Sequence, residues 1–105
     1  RPQATEARRV AVERFLRALD GDLAAAFEAA DVLAEAWPTG DDEVPGLLRE
    51  AWRALGPDAY LAGDAAVVAL ERAWGAYAHR DLALRAWVLR LRRTAASAAV
   101  DGPRR

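Results

Sequence analysis

Apolar side chains recur every three or four residues along almost the whole of this 105-residue chain. That spacing places them on one face of an α-helix, and no stretch shows the alternation with a period of two that marks a β-strand. The sequence therefore predicts an all-α fold, a single compact domain of about five helices packed as a helical bundle. The predicted helices cover residues 5–19, 23–37, 45–55, 58–78 and 82–100.

The predicted helix ends coincide with residues that favour turns and caps. Asp20, Gly21 and Asp22 separate the first two helices by so few residues that an antiparallel hairpin is expected. Pro38 ends the second helix and opens an acidic loop, and Gly56 ends the third. Short connections of this kind predict that helices adjacent in sequence also pack together.

The segment around Gly63 and Asp64 has two interpretations. A turn at this pair would divide the segment into a short helix and a longer one. The apolar residues from Tyr60 to Tyr77, however, keep their spacing of three and four through Gly63, which favours one helix. An interior glycine would cost that helix about 1 kcal/mol relative to alanine.

Composition excludes several classes of function. The absence of cysteine excludes a disulfide framework, a thiolate metal site and a thiol nucleophile. A net charge of −1 removes a global electrostatic case for binding nucleic acid or an anionic membrane. No apolar run is long enough for a membrane span and residues 1–10 lack a signal-type apolar segment, so we expect a soluble cytoplasmic chain. All 15 basic residues are arginine, which is typical of a GC-rich bacterial genome.

Residues 21–38, GDLAAAFEAADVLAEAWP, resemble the second half of a tetratricopeptide repeat. Gly21 corresponds to the turn, Ala26 and Phe27 to packing positions, and Pro38 to the end of the unit. The resemblance extends over residues 13–38 and implies a helical hairpin of the kind used in peptide-binding scaffolds. No second unit follows at the roughly 34-residue period of that family, so the resemblance is limited to one hairpin.

Few residues suggest catalysis or metal binding. Glu28, Asp31 and Glu35 are acidic residues of the second helix, but a di-iron bundle requires a Glu-x-x-His pair on each of two helices and the chain has one histidine. That residue, His79, lies at a predicted helix end, where it complements the carbonyl end of the helix dipole. The sequence therefore predicts no enzyme, no catalytic residue, no metal site and no cofactor.

The aromatic residues fall mainly on the predicted inner stripes. Each of the four tryptophans lies on a different helix, which predicts a shared aromatic core. An alternative is that the rings line a pocket for a small apolar ligand. The residues common to both interpretations are Trp37, Trp52, Trp74, Trp87, Tyr60 and Tyr77.

Two further helix faces have no evident role inside a five-helix bundle. The last helix has a core stripe of Leu84, Trp87, Val88 and Leu91 and a second apolar stripe on its opposite side. The predicted core stripe of the second helix is Leu23, Phe27, Ala30, Ala34 and Trp37, and that of the third is Leu48, Ala51, Trp52 and Leu55. The back of the second helix carries only small apolar residues. Such faces predict contact with another helix. The predicted interface comprises Leu82, Leu89, Ala96 and Val100 of the last helix and Ala25, Ala29, Val32 and Ala36 of the second.

These features predict a non-enzymatic protein–protein interaction or regulatory module that forms a homodimer or binds a partner helix. The alternative is a small-molecule-binding bundle with a tryptophan-lined pocket. A third hypothesis is a nucleic-acid-binding accessory protein, because arginines surround Trp87 on the last helix. Those arginines point in several directions around the helix, which argues against a nucleic-acid surface.

Overall fold

The structure is a computed structural model that describes the backbone of residues 2–38, 40–76 and 79–101, and the side chains of residues 5–38, 40–76 and 79–93. Within these residues the fold is all-α, as the sequence predicted, and forms one compact bundle. The helices of the described residues are α1 (Pro2–Leu19), α2 (Leu23–Glu35), α3 (Glu43–Leu55), α4 (Pro57–Ala76) and α5 (Arg80–Asp101).

The helices pack as a closed ring. α1 contacts α2 and α3, α4 contacts α3 and α5, and α5 returns to α2, with a smaller contact between α1 and α5. In a tetratricopeptide solenoid each repeat contacts only its neighbours in the stack. Here the last helix packs on the first hairpin, so the resemblance to that family stays within the hairpin formed by α1 and α2.

The second helix ends earlier than the sequence predicted. α2 stops at Glu35, because the N–H groups of Ala36 and Trp37 donate to carbonyls three residues earlier, in the tight geometry common at helix ends. Trp37 therefore lies just beyond the helix rather than within it. Its ring is still almost completely buried, so the change of backbone leaves its place in the core intact.

The third helix begins earlier than the sequence predicted. α3 starts at Glu43, ahead of Pro45, and the Asp41 carboxylate accepts the N–H of Val44 at 2.9 Å. This contact satisfies one of the N–H groups that the first turn of a helix leaves without a helical partner. Pro45 is tolerated in the same turn because the N–H that it lacks would have had no helical acceptor.

α4 runs through Gly63 without a break, which corresponds to the continuous helix and not to the turn. The glycine is buried against Trp52 of α3, and a Cβ atom added to it would overlap the tryptophan ring. The missing side chain thus allows α3 and α4 to approach closely. The Arg49 Nε also donates to Asp64 at 2.6 Å, which joins the same two helices next to this contact.

The core face of α2 differs from the predicted one. Three of the four buried residues are alanine, and Leu23, predicted to face the core, is exposed, while Phe27 is half-buried. Leu55 of α3, also predicted to be buried, is exposed at the end of its helix. Alanines fill the narrow space beside the neighbouring helices, and the larger Leu23 and Phe27 lie toward the edge of the contact. The residues of α2 that are buried are Ala26, Ala29, Ala30 and Leu33.

Arg92 connects the last helix to the first hairpin. Its Nη1 donates to the Leu19 carbonyl at 2.8 Å and to the Gly21 carbonyl at 2.7 Å. Carbonyls at the end of a helix have no donor within the helix, so the guanidinium supplies one. Its positive charge also interacts favourably with the negative end of the helix dipole. This contact fixes α5 beside the turn between α1 and α2.

Candidate interaction surface

The outer face of α5 exposes large apolar side chains. Leu82 is 65% exposed and Leu89 is 39% exposed, and Ala86 between them is also exposed. The three residues follow the spacing of i, i+4 and i+7 and so lie along one side of the helix. We call Leu82, Ala86 and Leu89 the α5 stripe. Ala96 and Val100, which the sequence places in the same row, lie outside the described side chains.

The predicted interface on α2 divides into covered and exposed residues. Ala29 is only 5% exposed and belongs to the core, so its assignment to an interface is corrected. Ala36 is half-buried, whereas Ala25 and Val32 are exposed. The correction follows from the position of the core face, which is centred on the alanines of α2 and therefore includes Ala29.

The α5 stripe lies beside α2. The guanidinium of Arg85 is centred 4.9 Å from the ring of Phe27, a cation–π contact across the two helices. Arg85 is three residues after Leu82 and four before Leu89, so the stripe follows the line where α5 meets α2. The two helices are antiparallel, since Arg92 contacts Gly21 before the start of α2 and Trp87 packs on Trp37 beyond its end.

Charges on the two helices have opposite sign. The outer face of α2 exposes Glu28, Asp31 and Glu35, and none of these carboxylates forms an ion pair with any residue that the structure describes. The outer face of α5 exposes arginines instead. The arginines that flank or extend the α5 stripe are Arg85, Arg90 and Arg93.

Three of the four tryptophans form one cluster with Phe15. Trp37 makes edge-on contacts with Trp74 at 4.9 Å and with Trp87 at 5.7 Å between ring centroids. Trp87 stacks on Phe15 at 5.1 Å. Such pairs add about 0.5–1.5 kcal/mol each beyond the burial of their area. The Nε1 of Trp87 is buried without a hydrogen-bond partner among the residues that the structure describes, a feature that the sequence does not reveal.

The remaining aromatic residues lie outside this cluster. Trp52 is buried against Gly63, and Tyr60 lies under the guanidinium of Arg53 at 4.7 Å. Tyr77 falls outside the described residues. Trp74, at the edge of the cluster, carries the guanidinium of Arg80 4.0 Å from its ring centroid.

A shallow groove of about 230 Å³ lies between α1 and α3. Its volume is below the roughly 300–1,000 Å³ of ordinary small-molecule sites. No tryptophan lines it, so this groove is not the tryptophan-lined pocket of the alternative hypothesis. The residues that line it are Arg9, Val12, Glu13, Leu16, Leu47, Glu50, Ala51 and Ala54.

Thr5 and Arg8 of α1 form a polar contact with the start of α3 that the sequence does not indicate. The Glu43 carboxylate accepts hydrogen bonds from the Arg8 guanidinium and, at 3.1 Å, from the Thr5 hydroxyl. The hydrogen bond from Arg8 is the largest cause of the lowered pKa of Glu43, followed by that from Thr5. The pKa of Arg8 is raised, first by its hydrogen bond to Glu43.

The described residues contain no cluster of three histidine, aspartate or glutamate side chains placed to hold a metal ion. His79 is exposed and lies directly before the first residue of α5. None of the helices, over the part of the chain that the structure describes, is long and apolar enough to span a membrane.

Comparison with protein-family models, with curated proteins and with solved structures finds no match to this chain. The functional interpretation therefore depends on the surface itself.

Proposed function

We propose that the protein is a non-enzymatic helical interaction module that self-associates through the α5 stripe. The observation that carries the proposal is the exposure of Leu82, which is 65% accessible in the first turn of α5. Single exposed leucines are common on protein surfaces. Leu82, Ala86 and Leu89 differ because they form a continuous row on one helix, which is the arrangement that helix pairs bury.

The size of the exposed row suits a moderate affinity. Full burial of a leucine side chain contributes roughly 1.5–3 kcal/mol, and a two-fold pair would bury Leu82 and Leu89 from both copies. Association costs an estimated 4–15 kcal/mol in lost freedom of the two molecules. The leucines alone offset only the lower part of that cost, so the flanking residues must supply the remaining free energy of the micromolar association that we expect.

Analytical ultracentrifugation tests the proposal. The wild-type chain should form dimers at micromolar concentration, and the double variant Leu82→Asp with Leu89→Asp should be monomeric with an unchanged helical circular dichroism spectrum. Leu61→Asp is the matched control, because Leu61 is 63% exposed on α4 and lies outside the proposed surface. A wild-type chain that remains monomeric, or a control that dissociates as readily as the double variant, would contradict the proposal.

A further inference from the structure

The outer faces of α2 and α5 complement each other in charge and in side-chain size. α5 presents large apolar residues with arginines, and α2 presents small apolar residues with carboxylates. On α5 the set is Leu82, Ala86 and Leu89 with Arg85, Arg90 and Arg93; on α2 it is Ala24, Ala25 and Val32 with Glu28, Asp31 and Glu35.

We infer that a second copy of this chain docks its α5 on α2 of the first copy, while its own α2 receives α5 of the first. The inference rests on the self-association proposed above and assigns the surface that the α5 stripe contacts. Because α2 and α5 are neighbours within one chain, a single two-fold axis generates both contacts at once.

Electrostatics selects between the two ways of stacking such a helix pair on its copy. An axis parallel to the helices places α5 opposite α2 of the partner, so arginines face carboxylates. An axis perpendicular to the helices places α2 on α2 and α5 on α5, which opposes three carboxylates to three carboxylates and three arginines to three arginines. Like charges brought together across an interface cost several kcal/mol, so the first arrangement is favoured.

Shape favours the same arrangement. The exposed alanines of α2, Ala24 and Ala25, leave space above the first turn of that helix, and the side chain of Leu89 is large enough to fill it. In the alternative arrangement the leucines of α5 would meet those of the second α5, and the small residues of α2 would have no leucine above them. Close helix packing pairs large side chains with small ones.

Charge reversal tests the inference directly. The first variant, Glu28→Arg with Glu35→Arg, makes α2 basic, and the second, Arg90→Glu with Arg93→Glu, makes α5 acidic. Each variant alone should self-associate at least tenfold more weakly than wild type, because α2 and α5 of its dimer would carry the same charge. An equimolar mixture should recover the wild-type dissociation constant, since each interface then pairs opposite charges. A chain with all four substitutions should recover self-association as well.

Controls separate this inference from the proposed function. Glu71→Arg and Arg72→Glu change exposed charges on α4 and should leave association unchanged. If wild type dimerises and the leucine double variant does not, yet the charge variants associate like wild type, the docking on α2 is wrong and the proposed function stands. If wild type is monomeric, both fail.

Salt dependence supplies a measurement that needs no variant. The wild-type dissociation constant should rise several-fold between about 0.01 M and 0.15 M sodium chloride, because the screening length falls from roughly 30 Å to 8 Å. A wild-type dissociation constant that is the same at both salt concentrations would overturn the inference, even if the charge variants fail to fold.

Discussion

The two faces of α5 contain similar residues in opposite situations. Leu84 on the inner face is 2% exposed, whereas Leu82 one half-turn away is 65% exposed. Both leucines belong to apolar rows with helical spacing. What differs is the surroundings, because the ring of helices closes over one row and leaves the other uncovered. Apolar residues on one helix can therefore stabilise the fold on one side and remain available on the other for the association that we propose.

The largest expected effect is the difference in stability between a substitution on the inner face of α5 and one on its outer face. Leu84→Ala should lower the free energy of unfolding by about 2–5 kcal/mol, because it removes buried contacts and leaves a cavity. Leu82→Ala should change it by less than about 0.5 kcal/mol, as exposed substitutions usually do. Urea denaturation of the two variants, at a concentration where both are monomeric, measures the difference. Equal losses would show that the faces are not distinct.

A second comparison of a buried with an exposed position lies outside α5. Gly63→Ala should destabilise the chain by about 1–3 kcal/mol, because the new methyl group overlaps the ring of Trp52 and forces α3 and α4 apart. Gly46→Ala is the control, since nothing lies near its Cβ position, and it should be neutral or stabilising by up to about 1 kcal/mol. Thermal unfolding of both variants tests the expectation. A neutral Gly63→Ala would mean that the two helices can separate at little cost.

The adjacent residues Arg92 and Arg93 allow the same comparison where the two faces of α5 meet, because only Arg92 contacts the turn between α1 and α2. Arg92→Ala should lower the free energy of unfolding by about 1 kcal/mol, because the carbonyls of Leu19 and Gly21 lose the hydrogen bonds from the guanidinium and must bond to water instead. Arg93→Ala should leave stability within about 0.5 kcal/mol, since that side chain is exposed. Chemical denaturation distinguishes the adjacent residues. A larger loss of stability for Arg93→Ala than for Arg92→Ala would show that the stabilising contact is not made by Arg92.

The smallest expected effect concerns the polar contact of Glu43 with Thr5 and Arg8. The folded-state pKa of Glu43 lies below the ordinary value of 4.5, first because of the hydrogen bond from Arg8. Its contribution is therefore present above the unfolded pKa and is lost as the pH falls through the lowered folded pKa. Solvent still reaches this partly buried contact and screens it, so the effect should be slight.

Glu43→Gln measures that contribution. The stability difference between wild type and the variant should shrink as the pH falls from neutrality to below the carboxyl pKa. Thermal melts over this range provide the comparison. A difference that stays constant with pH would show that the Glu43 carboxylate has no linked proton.

Sequence by itself determined the all-α class and the inner row of α5, because helical periodicity is a local property of the chain. It also separated the two rows of α5, and it favoured a continuous α4, since the spacing kept its phase through Gly63. For α2 the same reasoning placed Leu23 in the core and Ala29 outside it, and the structure reverses both. Periodicity identifies the apolar side of a helix. Which residues on that side are buried depends also on their size and on the distance to the next helix.

Only the tertiary structure decided the contacts between residues far apart in sequence. The Trp52–Gly63 packing, the Arg92 cap and the hydrogen bond from Arg8 to Glu43 each join different helices. Whether the α5 stripe is covered likewise depends on how the ring of helices closes. The adjacency of an acidic α2 to a basic α5 has the same origin, because residues more than fifty positions apart become neighbours only when the bundle forms. Periodicity orients each helix, whereas the order of the helices around the core determines which faces meet.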